Sequence, residues 1–209
     1  MDKLSKKEID YALFGLTLGD GSYRNGYITV HHTNKQRFYI SWLESFCRTN
    51  DIRCSVRYDH VMSTTFGKKM YSSMNIWVPD RRHFDKFDRV ISNGKKIVSD
   101  YVLRRINSIG LLLWWLDDGN LSISFKGNKA KRFGYLNTHS FGYDGNVKIQ
   151  SMLRDRFGIE TGIHIDRSGF EEHKDKIYYR IYINATNFRR FYDIVRVYLP
   201  SIPKEFYYK

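Results

Sequence analysis

LFGLTLGDG, residues 13–21, and LLLWWLDDG, residues 111–119, are apolar runs that each end in an acid and a glycine. Each run predicts the last two turns of a buried helix that stops at the glycine and places a carboxylate there. A helix C-terminus carries partial negative charge, so an acid at that point is unfavourable unless a cation is close. Asp20 and Asp118, 98 positions apart, are therefore predicted to meet around metal. The alternative is a pair of Asp-Gly surface turns.

Small residues in the first run predict how the two helices meet. Gly15 and Gly19 are four positions apart, which places them on one face of a helix and permits close approach of a second helix. Leu113 and Trp114 leave less room on the other helix. We therefore expect an asymmetric crossing.

The pattern that follows each apolar run is repeated, which predicts one α+β unit used twice. Each unit consists of helix, strands, helix, strands and a closing helix. We assign residues 1–103 to the first half and 104–209 to the second, joined near 97–107 without a flexible linker. The predicted strands are 26–32, 53–58, 71–78, 134–140, 161–166 and 176–184; the predicted later helices are 36–50 and 144–157 and those beginning at 82–87 and 187–191; the predicted hairpin loops are 65–69 and 126–132.

Charge and composition indicate a nucleic-acid partner. The 209 residues are 42% apolar, enough for a core, and carry a formal net charge of +13. The excess is +6 in the first half and +7 in the second, so the basic charge is shared between the halves. An even distribution favours an extended footprint on a polyanion over a basic arm. A merely soluble basic protein is the alternative.

Other features bear on compartment. Cys47 and Cys54 lack metal-ligand spacing and predict reduced thiols. Residues 1–7 contain no apolar segment typical of a secretory signal, and no run approaches 18 apolar residues. We expect an intracellular, non-secreted protein that spans no membrane.

The paired runs resemble the two motifs of LAGLIDADG homing endonucleases, in the single-chain form that is a pseudo-dimer. The second run, with Trp115-Leu116-Asp117-Asp118-Gly119, is similar to the I-SceI-like branch, as are residues 136–141, Lys95-Lys96 and residues 207–209. Thr17, Leu18, Gly19 and Leu113 depart from the family letters, but the acid and glycine of each motif remain. The resemblance implies an αββαββα core per half, packed through the motif helices, and a DNA-binding saddle of antiparallel sheets.

The resemblance also implies a function, namely a site-specific, metal-dependent double-strand cut in a long DNA target. Unlike halves imply unlike half-sites, and a chain with both halves is expected to act as a monomer. One alternative is an intron maturase or a catalytically silent RNA- or DNA-binding protein on the same scaffold. A second is a protein whose scaffold serves interaction alone.

Phosphodiester hydrolysis needs an activated water and neutralised phosphate charge, which a hard divalent cation with oxygen ligands can supply. We therefore predict Mg²⁺, with Mn²⁺ able to substitute, bound by Asp20 and Asp118. The carbonyls of Gly19 and Asp117 are further candidate ligands, since the last carbonyls of a helix lack intrahelical partners. The Asp117 side chain is a second choice, because it points about 100° away from Asp118 on a helix and could cap or orient.

By resemblance, Lys96 serves catalysis in one half and Lys209 in the other, with Lys95 and Lys204 as near alternatives. His31-His32 raises the alternative of a histidine-metal nuclease, but the spacing of the histidines fits neither that class nor a zinc set. We expect His32 and His139 to line the DNA groove or its solvent network. Side chains on the strands are expected to reach the major groove; the candidates are Arg24, Asn25, Thr29, His31, Arg53, Arg57, Asn75, Lys129, Lys131, Arg132, Asn137, His139, His164 and Arg180.

Overall fold

Two four-stranded antiparallel sheets, each with helices against one face, form the fold, as seen in a computed structural model of the chain. The structure describes residues 3–64, 67–78, 86–87, 89–92, 95–127, 129–166, 177–201 and 204. The helices are α1 (Lys6–Leu18), α2 (Arg37–Thr49), α3 (Asp100–Leu103), α4 (Ser108–Asp118), α5 (Gly142–Phe157) and α6 (Ala185–Val195). Single turns of 3₁₀ helix precede α2 at Asn34–Gln36 and α5 at His139–Phe141, and Arg196–Ser201 follows α6.

The strands fall into two sheets of the same topology and a short pair. They are β1 (Ser22–Arg24), β2 (Tyr27–Thr33), β3 (Cys54–Thr64), β4 (Gly67–Trp77), β5 (Ile91–Ser92), β6 (Lys95–Lys96), β7 (Gly119–Lys126), β8 (Lys129–Leu136), β9 (Gly162–Asp166) and β10 (Tyr178–Ile183). The first sheet has the order β1-β2-β4-β3, and the second has β7-β8-β10-β9. The predicted α+β architecture, repeated in two halves, is confirmed.

The strand pairings show which positions of the two sheets are equivalent. Val30 pairs with Met74 in the first sheet, and Leu136 pairs with Ile181 in the second. Continuing the β1–β2 register by one residue places Gly21 opposite Val30, just as Gly119 lies opposite Leu136. Val30 is therefore the structural counterpart of Leu136, and every other strand position of the two halves can be matched from this pair.

Several predicted ends of strands and hairpin loops were wrong. The strand predicted over 134–140 ends at Leu136, because Thr138 hydrogen-bonds to the Asn146 side chain and its carbonyl accepts from the Phe141 N–H at 3.1 Å, which turns the chain. Most of the loop predicted over 126–132 belongs to β7 and β8, and Gly67–Lys69 of the other predicted loop lies in β4. The charged side chains lie on the exposed arms of these hairpins, where the backbone hydrogen bonds between paired strands continue beyond the core.

Caps that are legible in the sequence set where the motif helices begin. Ser5 Oγ accepts from the Glu8 N–H at 3.3 Å, and Glu8 Oε2 accepts from the Ser5 N–H at 2.9 Å, which is a capping box at the start of α1. Asn107 Oδ1 accepts from the Gly110 N–H at 2.8 Å at the start of α4. Of the closing helix predicted to begin at 82–87, Lys86 and Phe87 are helical, and the rest lies outside the described residues.

Helices α1 and α4 cross with their backbones in contact. A Cβ built on Gly15 would lie 1.9 Å from the Gly110 carbonyl oxygen, and one built on Gly110 would lie 2.5 Å from the Tyr11 carbonyl oxygen. The expected close approach at Gly15 is therefore present. Its partner, Gly110, was missed because a single glycine near the start of an apolar run carries no signal of its own.

The glycines that end the motifs are required for space. Gly119 has φ −75°, so it does not occupy the left-handed conformation of a glycine cap. A Cβ there would lie 2.3 Å from Trp115 Cδ2, and a Cβ on Gly21 would lie 2.6 Å from the Leu16 carbonyl oxygen. Both glycines let the chain pass directly from the helix end into the first strand of the sheet.

The core is continuous from one half to the other. Phe14 and Trp114, one from each motif helix, are completely buried, as are Leu43 of α2 and Ile149 of α5. Within the described residues, none of the helices combines the length and the apolar character needed to cross a bilayer.

We predict that Gly15→Ala destabilises the protein by about 2–3 kcal/mol, because the added methyl group collides with the α4 backbone, which has no rotamer to adjust. Urea unfolding followed by circular dichroism measures the change. Gly162→Ala is the matched control, since a Cβ there meets its nearest neighbour at 3.6 Å, an ordinary contact. Unchanged or increased stability of Gly15→Ala would contradict the proposed constraint.

Candidate functional site

The acids of the two motifs lie at the adjacent ends of α1 and α4. Asp20 is the second residue after α1, and its side chain is 46% exposed. Asp118 is the last residue of α4; it is half-buried, and its Oδ2 accepts from Trp114 Nε1 at 3.2 Å. The Asn137 N–H donates to the Asp118 carbonyl at 3.0 Å, which ties this helix end to β8.

Asp117 connects the two motif ends directly. Its side chain is fully buried, and Oδ2 accepts a hydrogen bond from the Asp20 N–H at 2.9 Å. Buried Tyr39 of α2 also interacts with this carboxylate through its hydroxyl. A Cβ built on Gly19 would lie 2.4 Å from Asp117 Oδ2, so the glycine of the first motif makes room for the acid of the second.

Burial dominates the titration of Asp117. Loss of hydration raises the pKa of this carboxyl well above its usual range, and the charge of Asp20 raises it further. The hydrogen bond from the Asp20 N–H and the interaction with the Tyr39 hydroxyl act in the opposite direction. The Asp117 carboxyl is thus a group that the fold holds against a substantial electrostatic cost.

His32 brings β2 to the same acids. Nδ1 lies 3.9 Å from Asp20 Oδ2 and Nε2 lies 3.9 Å from Asp117 Oδ1, while Gln36 Oε1 is 3.0 Å from Nδ1. Among the described residues, Asp20, His32 and Asp117 offer ligand atoms within 4.8 Å of one another. This is a second possible ligand set, which shares Asp20 with the predicted pair of Asp20 and Asp118. The spacing of residues in the sequence could not have identified it.

Lys96 supplies the positive charge of the site. It lies on β6, and its ammonium donates to the Gly19 carbonyl. Burial lowers the pKa of Lys96, while the carboxylates of Asp118, Asp20 and Asp117 raise it, in that order of strength among the acids. Lys95 and Lys204 are both exposed, and Lys209 lies outside the described residues.

The donor atoms fit a hard divalent cation. The Lys96 ammonium donates to the Gly19 carbonyl and feels the charge of all three aspartates, and such oxygen-rich surroundings suit Mg²⁺ and Mn²⁺. Asp117 Oδ2 accepts from the Asp20 N–H, whereas Asp20 and Asp118 are accessible from solvent. We propose Asp20 and Asp118 as the metal ligands and Asp117 as the residue that orients Asp20.

On the first sheet, the side chains on the face away from α2 form rows of polar and aromatic groups. Thr29, Asn75 and Ser55 share one row, in which Thr29 Oγ1 donates to Asn75 Oδ1 at 2.8 Å. The row closer to the acids contains His31, Ser73 and Arg57. The row farther away contains Tyr27 and Trp77, with the Arg53 guanidinium 4.8 Å from the Trp77 ring.

The second sheet has a different surface in the equivalent place. Tyr135 pairs with Tyr182, with ring centroids 5.3 Å apart, and the His164 ring stacks on Tyr182 at 4.3 Å. Arg180 lies 4.0 Å over the Tyr135 ring and pairs with Asp166 at 3.1 Å. His139 also contacts Asp166, with Nε2 3.0 Å from Oδ2.

The remaining predicted DNA contacts lie at exposed turns and arms. Arg24 is exposed on β1, and Asn25 takes the left-handed conformation with φ 50° in the tight turn to β2. Lys129 and Lys131 point away from the helices along the exposed arm of β8. Arg132 alternates to the other side, in line with Gly134 and Leu136, so it projects away from Lys131.

Sequence reasoning missed residues that complete the site. Tyr39 of α2 interacts with Asp117, and Gln36 in the turn before α2 contacts His32; neither belongs to a recognisable motif. Tyr135 and Tyr182 lie on strands in which apolar residues occupy both faces, so the pattern does not separate them from core residues. The alternation of small and apolar residues at 134 and 136 was the available signal that Tyr135 faces the opposite side.

We predict that Asp117→Asn flattens the pH dependence of stability in EDTA-containing buffer. Because burial raises the folded-state pKa above the ordinary value of 3.8, the folded protein holds this proton more tightly than the unfolded chain does. The contribution of this carboxyl to the free energy of unfolding is then greatest below about pH 4. It falls as pH rises toward the folded pKa, by up to about 1.4 kcal/mol per pH unit. The asparagine side chain of the variant keeps the hydrogen-bonding shape without titrating.

Urea unfolding at a series of pH values measures this difference. The exposed Asp193→Asn variant should retain the wild-type profile. Parallel profiles for wild type and Asp117→Asn would contradict the buried-acid interpretation.

Comparisons with known proteins agree with the geometry. The model of the LAGLIDADG DNA endonuclease family matches residues 11–191. A curated relative, "Probable intron-encoded DNA endonuclease 3" of Mycosarcoma maydis, is 26% identical over 111 residues, which cover 52% of this chain and 71% of the relative. A solved structure, "The homing endonuclease I-WcaI bound to its DNA recognition sequence", superposes with a TM-score of 0.70 at 22% identity, covering 100% of this chain and 88% of that chain. The predicted resemblance is confirmed, and the chain belongs to the LAGLIDADG DNA endonuclease family.

Proposed function

We propose that this protein is a site-specific homing endonuclease that makes a divalent-metal-dependent double-strand cut in a long, asymmetric DNA target. The observation that carries the proposal is the convergence of two motif acids from separate helices beside one lysine. The Asp20 N–H binds Asp117, and the Lys96 ammonium donates to the Gly19 carbonyl next to Asp20. Such a cluster of negative charge is costly unless cations bind there, and bound cations would also attract the phosphates of a nucleic acid.

Mg²⁺, when held by Asp20 and Asp118, would neutralise charge on the scissile phosphate and make the attacking water more acidic. Asp117 fixes the backbone at Asp20 through its hydrogen bond, so the orientation of the first acid depends on the second motif. Lys96 would interact with the negative charge that develops on the phosphate, because its ammonium donates to the Gly19 carbonyl beside Asp20 and feels the charge of the acids.

DNA would lie across the exposed faces of the two sheets. Both faces carry basic side chains, Arg57 on the first and Lys131 and Arg180 on the second. The +13 net charge supports the strong phosphate contact that a long site requires. One chain contains both motif acids, so we propose that a monomer cuts both strands, with Lys209 serving the second half as Lys96 serves the first.

A maturase or a silent nucleic-acid-binding protein on the same scaffold is the competing function. Loss of a motif acid would favour it, and this chain has both Asp20 and Asp118. The two functions share the basic surface and differ in metal-dependent strand cleavage, which an assay can separate.

We predict that Asp20→Asn and Asp118→Asn each reduce double-strand cleavage at least a thousandfold while target binding changes less than about threefold. The acids would hold metal at the phosphate and make no base contact, so their loss removes chemistry and spares recognition. Plasmid cleavage and gel-shift titration in Ca²⁺ measure the two quantities.

Asp155→Asn, at an exposed position on α5, is the matched control and should cleave at the wild-type rate. Cleavage of both strands at an undiminished rate by Asp20→Asn or Asp118→Asn would refute the assignment. A parallel measurement on Asp117→Asn separates the ligand sets, because we expect reduced but measurable cleavage from a positioning residue.

Cleavage is predicted to require Mg²⁺ or Mn²⁺, to stop in EDTA, and to stop in Ca²⁺ with binding retained. Ca²⁺ accepts looser geometry and activates water poorly. The assay incubates a plasmid library of candidate target sites, including intron insertion junctions, with each metal. Cutting in EDTA would overturn the metal mechanism, and salt-sensitive binding without any nicking would favour the maturase.

A further inference from the structure

The two sheets differ in chemistry at equivalent positions of their exposed faces. With Val30 matched to Leu136, Thr29 corresponds to Tyr135, and Asn75 corresponds to Tyr182. The first pair is joined by a side-chain hydrogen bond of 2.8 Å, whereas the second pair is in ring contact at 5.3 Å. The same place in the repeated fold thus holds a polar pair in one half and an aromatic pair in the other.

The aromatic pair belongs to a larger patch, which we define as Phe133, Tyr135, His164 and Tyr182. Phe133 meets Tyr182 at 5.9 Å and Tyr135 at 6.0 Å, and His164 stacks on Tyr182 at 4.3 Å. The alternate residues Leu136, Ile181 and Ile183 are buried on the helix side, so these rings face away from the core. Each ring is held by its neighbours, which presents a firm apolar surface at small entropic cost on binding.

Groups that could read hydrogen-bonding edges are restrained around the patch. The Arg180 guanidinium pairs with Asp166 at 3.1 Å and lies over the Tyr135 ring at 4.0 Å. His139 is within 3.0 Å of the same Asp166 carboxylate. At Tyr135 and Tyr182, the side chains have no amide or guanidinium fork for bidentate contact with a purine. Each phenol hydroxyl can make a single hydrogen bond, and the rest of the side chain offers apolar ring surface to a base pair.

In the major groove, the apolar group that distinguishes one base from the others is the 5-methyl of thymine. We propose that the aromatic patch recognises thymine methyl groups, so that the base pairs under Tyr135 and Tyr182 are read through apolar contact and the base pairs under Thr29 and Asn75 through hydrogen bonds. This inference rests on the proposed endonuclease function and deepens it. The basic arm with Lys129 and Lys131 on the same side of β8 holds the phosphates beside the patch.

The rings favour duplex DNA over single-stranded RNA as the occupant. Stacking platforms for unpaired bases need ring faces open to the solvent. Here the Tyr182 face is covered by His164, with an interplanar angle of 16°, and the Tyr135 face is covered by Arg180. The edges and rims of the rings remain, which suit contact with methyl groups in a groove.

The test begins with binding-site selection from a randomised duplex library in Ca²⁺, using the full chain. We expect thymine enrichment at two or more positions of one half-site. Selection with Asn75→Ala identifies the other half, because preference relaxes beneath the altered side chain. Absence of thymine enrichment from the half-site that Asn75→Ala leaves unchanged would overturn the inference.

Deoxyuridine then replaces thymidine in the selected duplex, one half-site at a time, which removes the methyl group and keeps every hydrogen-bonding atom. In the half-site under the second sheet, each contacted methyl group that is lost should weaken binding about fourfold. The same replacement at the positions whose preference relaxes in Asn75→Ala should change binding less than about 1.5-fold. Equal effects in the two halves, or none in either, would refute the inference.

The double variant Tyr135→Thr/Tyr182→Asn transfers the residues of the first sheet to the second. It should bind the thymine and uracil duplexes equally well, while Phe125→Ser, an exposed change on the other side of the β7–β8 hairpin, should keep the wild-type ratio. If the double variant does not fold, the uracil measurement on the wild-type protein decides by itself. Competition by single-stranded RNA that depends on Tyr135 and Tyr182 would assign the patch to RNA and overturn the proposal.

Failure of this inference and failure of the proposed function give different results. A protein that cuts its selected target in Mg²⁺ but ignores the uracil replacement remains an endonuclease with another mode of recognition. A protein that discriminates uracil from thymine without cutting would lose the nuclease assignment and keep the methyl contact.

Discussion

The backbone contact between the two motif helices is the constraint on which the rest of the structure depends. Gly15 and Gly110 allow α1 and α4 to meet with no side chain between them. That separation places Asp117 against Gly19, where its carboxylate binds the Asp20 N–H at 2.9 Å. A wider crossing would separate the acids and remove the buried hydrogen bond together. The packing of the two helices and the position of Asp117 beside Asp20 are therefore consequences of the same contact.

The electrostatics of the site follow from that crossing. Three aspartates brought to one place repel one another, and burial of Asp117 adds a desolvation cost. The fold offsets this cost with groups from separate elements: the Asp20 N–H donates to Asp117, the Tyr39 hydroxyl interacts with it, and the Lys96 ammonium supplies positive charge. These groups come from α2, β6 and the first motif, all in the first half, whereas Asp117 and Asp118 come from the second. The cluster therefore forms only where the two halves meet.

Repetition of the backbone does not imply repetition of the surface. The register pairs Val30 with Leu136, and buried positions around this pair stay apolar in both halves because each sheet packs on its helices. The exposed alternate positions carry no such requirement. Thr29 and Asn75 in one sheet correspond to Tyr135 and Tyr182 in the other, so two similar sheets present unlike exposed faces.

The sequence by itself determined the class of fold, the two motif helices, the repeated order of elements, the family and the basic character of the surface. These properties depend on local periodicity, on paired acids and glycines, and on charge, all of which are legible along the chain. Tertiary structure alone decided that Gly110 is the partner of Gly15, that Asp117 faces Asp20 and that Tyr39 and His32 join them. It also decided that the strand after Gly134 stops at Leu136. Each of these depends on which residues meet across long sequence separations, and the helix crossing and strand register that bring them together are set by packing of the whole core.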